Sequence, residues 1–356
     1  MLITGAMLRQ AREATGVSLS EMARKIFRDK GYLSRIETRH GAVPDHIVEQ
    51  YEHVLGVDMN RRDLLAGLGV GAVLPGAVVD AIRRGIDQES AEPVSVEDWM
   101  AKVDAYAADA MKIGTSEMQV RLASDLVLLQ SRLTEPRMWG VAARMMVLHG
   151  APLVSLTDIA ATEHWYRSAT TAADRSEDIS VRVWVRGRSA LNMAHPSASL
   201  RGCRALASEA VELPAKASVG KLTALISLAN VAALSGNAAE SRAKLHEAKQ
   251  TFEVVGSTGH VASEYVVPEW RMNVDESLVL SRLGDCAAEN AHEQAAATIP
   301  AEFSRFATHV DLHRGLALAK AGDRIGGVAH ARDALSRLPV GKHSVALRRL
   351  LTEVAS

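Results

Sequence analysis

Almost every stretch of this 356-residue chain that is long enough to form an element repeats its apolar positions at spacings of three and four, and no run alternates β-branched with polar residues. A period near 3.6 lines apolar side chains along one helix face, so such a chain buries surface by laying helices on helices. The expected fold class is all-α. Aromatic residues make up 4% of the chain and alanines recur, which suits helices that meet closely through small side chains. At roughly 100 to 200 residues per domain, the length implies two or three units.

A formal net charge of -1 excludes a chain that coats nucleic acid nonspecifically, so any such contact must come from a local basic surface. Cys203 and Cys286 have no metal-ligand or redox spacing and read as two small buried hydrophobes in a reduced compartment. No apolar core follows Met1 to Arg9, so no secretory signal is expected. Asn60 to Leu65 and the apolar run Ala66 to Val79 imitate a twin-arginine signal, but the run is shorter than the roughly 18 residues of a membrane span. It reads as a linker helix over residues 59–94. Its glycines at 67, 69, 71 and 76 fit neither phosphate-loop nor dinucleotide spacing. The expected location is the cytoplasm, with no membrane association.

Glycines and prolines punctuate the helical pattern, among them Pro136, Gly150, Pro196, Gly236, Gly284, Pro300, Gly322 and Pro339, and are read as helix ends. Aligning Gly236, Gly284 and Gly322 exposes a repeat: a small residue stands seven positions before each (Ala229, Ser277, Gly315) and an alanine twelve positions after (Ala248, Ala296, Ala334). Small residues at those places let the helices of a hairpin approach closely. The pattern resembles the tetratricopeptide repeat, although the glycines are 48 and 38 residues apart where that family repeats about every 34. Fainter hairpins around Gly150 and Pro196 extend the expected solenoid over residues 95–356.

The most specific signal lies in Met7 to Gly56. Leu8 to Arg12 opens a helix, Ser18 caps a second that runs to Ile26, and Asp29 caps a third, Lys30 to Glu37. Leu33 and Ile36 then face inwards and leave Lys30, Ser34 and Arg35 nearer the outside, while Ile47, Val48, Tyr51, Val54 and Leu55 form a closing amphipathic helix. This is similar to the helix-turn-helix of the lambda-repressor and Cro (XRE) type, expected over residues 1–58. The resemblance implies a structural pair between Arg12 and Glu37. Phe27 stands where that family places its turn glycine, and Leu19 where a DNA-contacting glutamine often begins the second helix.

Between Arg24 and Arg39 six cations face two anions, a local balance of +4, whereas residues 40–58 carry four anions and no Lys or Arg. That polarity gives the third helix a basic face suited to phosphates. Lys30, Tyr32, Ser34 and Arg35 are the candidates for base edges or adjoining backbone, and Arg28 and Arg39 for phosphates. A module this small needs two copies on a two-fold site, so a homodimer on double-stranded DNA is expected. Helix-turn-helix joined to such a solenoid resembles actinobacterial regulators and those of the Rap, Rgg and PlcR type. The resemblance implies that the solenoid senses a peptide or small effector, with Asn192 and Asn230 gripping a backbone and Arg186 and Arg271 a carboxylate. The alternative is a scaffold that binds a partner protein and keeps a vestigial helix-turn-helix. No enzyme, cofactor or metal site is expected, because His309 and His313 at i,i+4 have no third ligand and no paired acids or nucleophile motif accompany them.

Overall fold

The computed structural model describes residues 5, 8–9, 12, 17–38, 43–55, 94–110, 115–156, 159–196, 198–257, 263–339 and 343–356. The expected linker helix at 59–94, apart from Val94, and Arg39 lie outside them. The protein is all-α. Its described helices are α1 (Leu19–Lys25), α2 (Lys30–Glu37), α3 (Asp45–Leu55), α4 (Val96–Asp109), α5 (Thr115–Gln130), α6 (Pro136–Leu156), α7 (Ile159–Arg175), α8 (Ile179–Met193), α9 (Leu200–Glu212), α10 (Val219–Leu234), α11 (Ala238–Val255), α12 (Glu269–Leu283), α13 (Ala288–Thr298), α14 (Ser304–Lys320), α15 (Arg324–Arg337) and α16 (Val345–Ala355). β pairing among the described residues amounts to an isolated bridge between Ser257 and Pro268. No described helix is long and apolar enough to cross a membrane. The chain divides into two units, Met1–Asp80 and Ala81–Ser356.

In the larger unit consecutive helices pair as hairpins, α6 with α7, α8 with α9, α10 with α11, α12 with α13 and α14 with α15. The first helix of each hairpin also packs on the first helix of the next, in the order α6, α8, α10, α12, α14 and finally α16. One row of first helices therefore runs through the unit, covered by the second helices. The chain reverses at Gly236, Gly284 and Gly322, whose φ angles of 76, 61 and 101° lie in the left-handed region where a side chain is penalised.

Helix starts follow from local chemistry. Ser95 and Asp98 form a reciprocal capping box at α4, and the side chains of Ser199, Ser218 and Ser344 accept the amide three residues on at α9, α10 and α16. After two of the turn glycines the next residue caps in the same way, Asn237 accepting from the Glu240 amide and Asp323 from that of Gly326. After Gly284, however, Asp285 accepts from Ala287, only two residues on.

That difference corrects one expectation from the repeat. Buried positions fall five, nine and twelve residues after the glycine in α11 (Ser241, Leu245, Ala248) and α15 (Gly327, Ala331, Ala334). In α13 they fall four, eight and eleven residues after it (Ala288, His292, Ala295), so Ala296 is exposed. The tighter Asp285 turn delivers the helix one residue out of phase. Elsewhere the close approach is real: a β-carbon on Gly315 would lie 2.7 Å from the Gly327 carbonyl oxygen, and Ser241 Oγ donates to the Ala229 carbonyl at 2.8 Å.

Two further expectations fail. Gly150 lies inside α6 rather than ending it, and it is small because a β-carbon there would meet the Trp165 and Tyr166 rings at 2.8–3.0 Å. Cys203 is buried, and burial pushes its thiol up to about 12. Cys286 is exposed, because it sits in the turn after Gly284.

Across the row of first helices, Arg282 of α12 ties distant segments together. Its Nε and Nη2 donate to the two carboxylate oxygens of Glu353 on α16, both at 2.8 Å. Nη1 donates to Asn230 Oδ1 on α10 at 2.6 Å and to the Ala194 carbonyl at 3.1 Å. Breaking a buried, fully satisfied ion pair strands the remaining charge. Arg282→Ala is therefore expected to destabilise the larger unit by about 3–5 kcal/mol, measured by urea unfolding, and a loss under about 1 kcal/mol would show that α16 is held by other contacts.

Candidate nucleic-acid interface and ligand cavity

In the smaller unit Ser18 Oγ accepts from the Glu21 amide at 3.1 Å to start α1, and Asp29 Oδ1 from the Tyr32 amide at 3.0 Å to start α2. Between the two helices Phe27 takes φ 54°, the left-handed conformation that glycine adopts without penalty, and its side chain is 92% exposed. Met22, Ile26, Leu33, Ile36, Ile47 and Tyr51 bury one face of each helix in a common core with Leu8. This fixes which face α2 shows to solvent.

Arg12 and Glu37 meet in that core through two hydrogen bonds of 2.7 Å, the Tyr51 hydroxyl donates to Glu37 at 2.9 Å, and Arg12 also donates to the Val17 carbonyl at 3.0 Å. The arrangement joins the start of the domain, the end of α2 and α3. It also withdraws one of the two anions counted against the basic stretch. Arg24, Lys25, Arg28, Lys30 and Arg35 are all exposed, with Asp29 the remaining anion of that stretch and Lys25 paired to Glu21 at 3.1 Å. Of the candidate DNA contacts, Arg28, Lys30, Ser34 and Arg35 are exposed, Tyr32 is half-buried against the core, and Arg39 lies outside the described residues.

The larger unit contains a cavity of about 340 Å³ lined chiefly by the first helices of the hairpins. Asn192, Asn230 and Arg271 line it, whereas Arg186 does not. Arg186 is held on the other side of α8 by Asp174 and Glu209, each at 2.9 Å. The arginine of α8 that faces the cavity is Arg188, two positions on and so about 200° around the helix. Arg271 and Arg188 share the buried Glu264 carboxylate at 3.0 and 2.7 Å. Glu264 resists desolvation because these two guanidinium groups hold its pKa down to about 2. Asn230 is spent at both ends, donating to the Ile226 carbonyl at 3.0 Å and accepting from Arg282. Asn192 donates to the Tyr166 hydroxyl at 3.1 Å and keeps its amide oxygen for another donor.

Sequence reasoning missed Arg188, Glu264, Asp275, Arg305 and Arg349 in this wall. The signal was present as polar stripes at helical spacing in otherwise apolar helices: Arg271, Asp275 and Arg282 on α12, Arg305, His309 and His313 on α14, Arg349 and Glu353 on α16. His313 Nδ1 lies 2.6 Å from Ser277 Oγ, whose hydroxyl is also 2.8 Å from the Val274 carbonyl oxygen, so the buried imidazole has a hydrogen-bond partner. Burial and the neighbouring charges hold His195 and His309 down at about 3 and His313 well below its ordinary range. Among the described residues no group of three or more His, Cys, Asp or Glu side chains converges to hold a metal.

Residues 4–65 match a family model described as a helix-turn-helix domain, which supports a helix-turn-helix DNA-binding domain at this end of the chain. No curated protein and no solved structure matches the chain.

Two measurements follow from this geometry. Because the left-handed conformation costs a side chain about 1–2 kcal/mol and glycine none, Phe27→Gly is expected to stabilise the smaller unit by about 1 kcal/mol after the entropy of glycine is deducted. Urea unfolding checks it, and a destabilised variant would mean that Phe27 makes contacts worth more than its strain. The second concerns acid. The unfolded chain protonates histidine near 6.5, while the folded chain keeps His195 and His309 neutral down to about 3, so stability is full above 6.5 and lost as pH falls through that window. Asp275, raised to about 6 by burial, works the other way below pH 6. His309→Gln is expected to flatten the decline between pH 6.5 and 5 by up to about 1.4 kcal/mol per pH unit, and an unchanged slope would place that proton uptake elsewhere.

Proposed function

We propose that this chain is a cytoplasmic transcription regulator of the lambda-repressor and Cro type that reads double-stranded DNA as a homodimer and answers to a small effector. It acts by binding and not by catalysis. Its DNA-reading head spans residues 1–58, its linker 59–94, and its tetratricopeptide-like sensor and dimerisation domain 95–356. The observation that carries the reading is the exposed basic face of α1 and α2, from which the Arg12 pair has withdrawn the Glu37 charge. Lys30, Tyr32, Ser34 and Arg35 approach base edges or adjoining backbone, while Arg28 and Arg39 take phosphates.

Support for an effector comes from the cavity among the first helices, where Asn192 offers a free amide oxygen and Arg271 acts through Glu264. Arg186 and Asn230, spent in internal bonds, are structural in this reading. By the resemblance to effector-responsive regulators, a ligand in this cavity would shift the spacing of two heads by a coupling of about 1–3 kcal/mol.

Selection from random duplex DNA by the full-length protein is expected to enrich a two-fold repeat. On that site Lys30→Ala and Arg35→Ala should each lose about 1–3 kcal/mol if they read a base, or lower the slope of log K against log salt by about 0.9 if they meet a phosphate. No enrichment, with and without cell extract, would favour a scaffold that binds a partner protein.

A further inference from the structure

The cavity wall contains two half-buried charged side chains that form neither a hydrogen bond nor an ion pair among the described residues, although Asp275 lies in the field of Arg271 and Arg188 and Arg305 in that of Glu264. Arg305 projects from α14, and among the described residues its guanidinium forms neither hydrogen bond nor ion pair, resting 5.4 Å from the centre of the Phe306 ring. Asp275 lies one turn after Arg271 on α12, and its carboxylate likewise forms neither. The neighbouring charges are treated differently: Glu264 is clasped by Arg188 and Arg271, and Glu353 by Arg282. A chain that pairs those buried charges so completely gains nothing in stability by leaving two more unpaired at the same cavity. Such groups are tolerated where a ligand supplies the missing partner.

What the ligand must carry follows by elimination. A plain anion would pair with Arg305 and leave half-buried Asp275 without a counter-charge of its own, a plain cation would do the reverse, and a neutral molecule would hydrogen-bond both without supplying either opposite charge. Burial already raises Asp275 to about 6, so a cation beside it would restore the ionised form. The volume of about 340 Å³ is near the lower end of the roughly 300–1,000 Å³ of small-molecule sites, too little for a long extended peptide.

We propose that the cavity binds a small zwitterion of the free amino acid or dipeptide class, its anionic group on Arg305, its cationic group on Asp275, and an N–H donating to the amide oxygen of Asn192. This rests on the reading of the cavity as the effector site and narrows it to one chemistry.

The test uses the full-length protein, with the twenty common amino acids and a panel of dipeptides with free termini screened by thermal shift and the best binder titrated by calorimetry. Blocking its amine by acetylation, or its carboxylate by amidation, is expected to weaken binding at least about tenfold each. Asp275→Asn should weaken the free ligand to the same degree while leaving the acetylated one unchanged, and Arg305→Gln should do so for the amidated one. Both variants remove an unpaired charge, so their unfolding midpoints should not fall, which separates lost binding from lost folding. Which panel contains the binder distinguishes a free amino acid from a dipeptide. Blocked ligands that bind like their parents, variants that bind the free ligand normally, or no zwitterion bound at about 10 mM would each overturn the proposal. Citrate and a neutral sugar serve as the control arm, with Leu278→Trp to fill the cavity. If either binds and Leu278→Trp abolishes it, the effector cavity stands and the zwitterion fails. If no probe binds, both fail.

Discussion

A single guanidinium organises the larger unit. Arg282 reaches Asn230 on α10, the Ala194 carbonyl after α8 and both carboxylate oxygens of Glu353 on α16, joining segments 52, 88 and 71 residues away in sequence. Stacked hairpins are coupled mainly through their neighbours, and this tie adds a link that reaches past the adjacent hairpin to the end of α8. The last helix packs Leu347, Leu350 and Val354 into the core with α14 and α15, and the bond to Glu353 adds a polar tie on the side where that helix lines the cavity. That polar tie is tolerated inside the unit because each of its groups finds a partner.

The cavity is a consequence of the same row. The first helices bury apolar faces against their hairpin partners and neighbours, and several of them present a polar stripe to the cavity. Where several stripes converge, the protein has paired most of them internally and left Arg305 and Asp275 over. Three histidines at the same wall stay neutral because an imidazolium there would face guanidinium groups in a poorly solvated space.

In the smaller unit the buried Arg12, Glu37 and Tyr51 do two things at once. They pin the end of α2 to the flanking segments, and they remove an anion from the surface that α2 presents. A charge count along the sequence records Glu37 as opposing the basic patch, whereas in three dimensions its charge is spent inside the domain. The strained turn at Phe27 shows that this geometry is imposed by the packing of α1 against α2 and not by the preference of the turn residue.

The all-α class, the caps at Ser18 and Asp29, the inward Leu33 and Ile36 and the glycine turns were legible in the sequence, because each depends on residues within a few positions of one another. Phase and partnership were not. Ala296 turned outwards because Asp285 caps two residues on instead of three, and Gly150 makes room for two rings instead of ending a helix. Arg186 and Arg188 look interchangeable as letters, yet the rotation between them puts one in an ion-pair cluster and the other at the cavity. Local sequence fixes where a helix begins and which face is apolar. Which charges meet across helices is decided only when distant segments pack, and the cavity of this protein is made of such meetings.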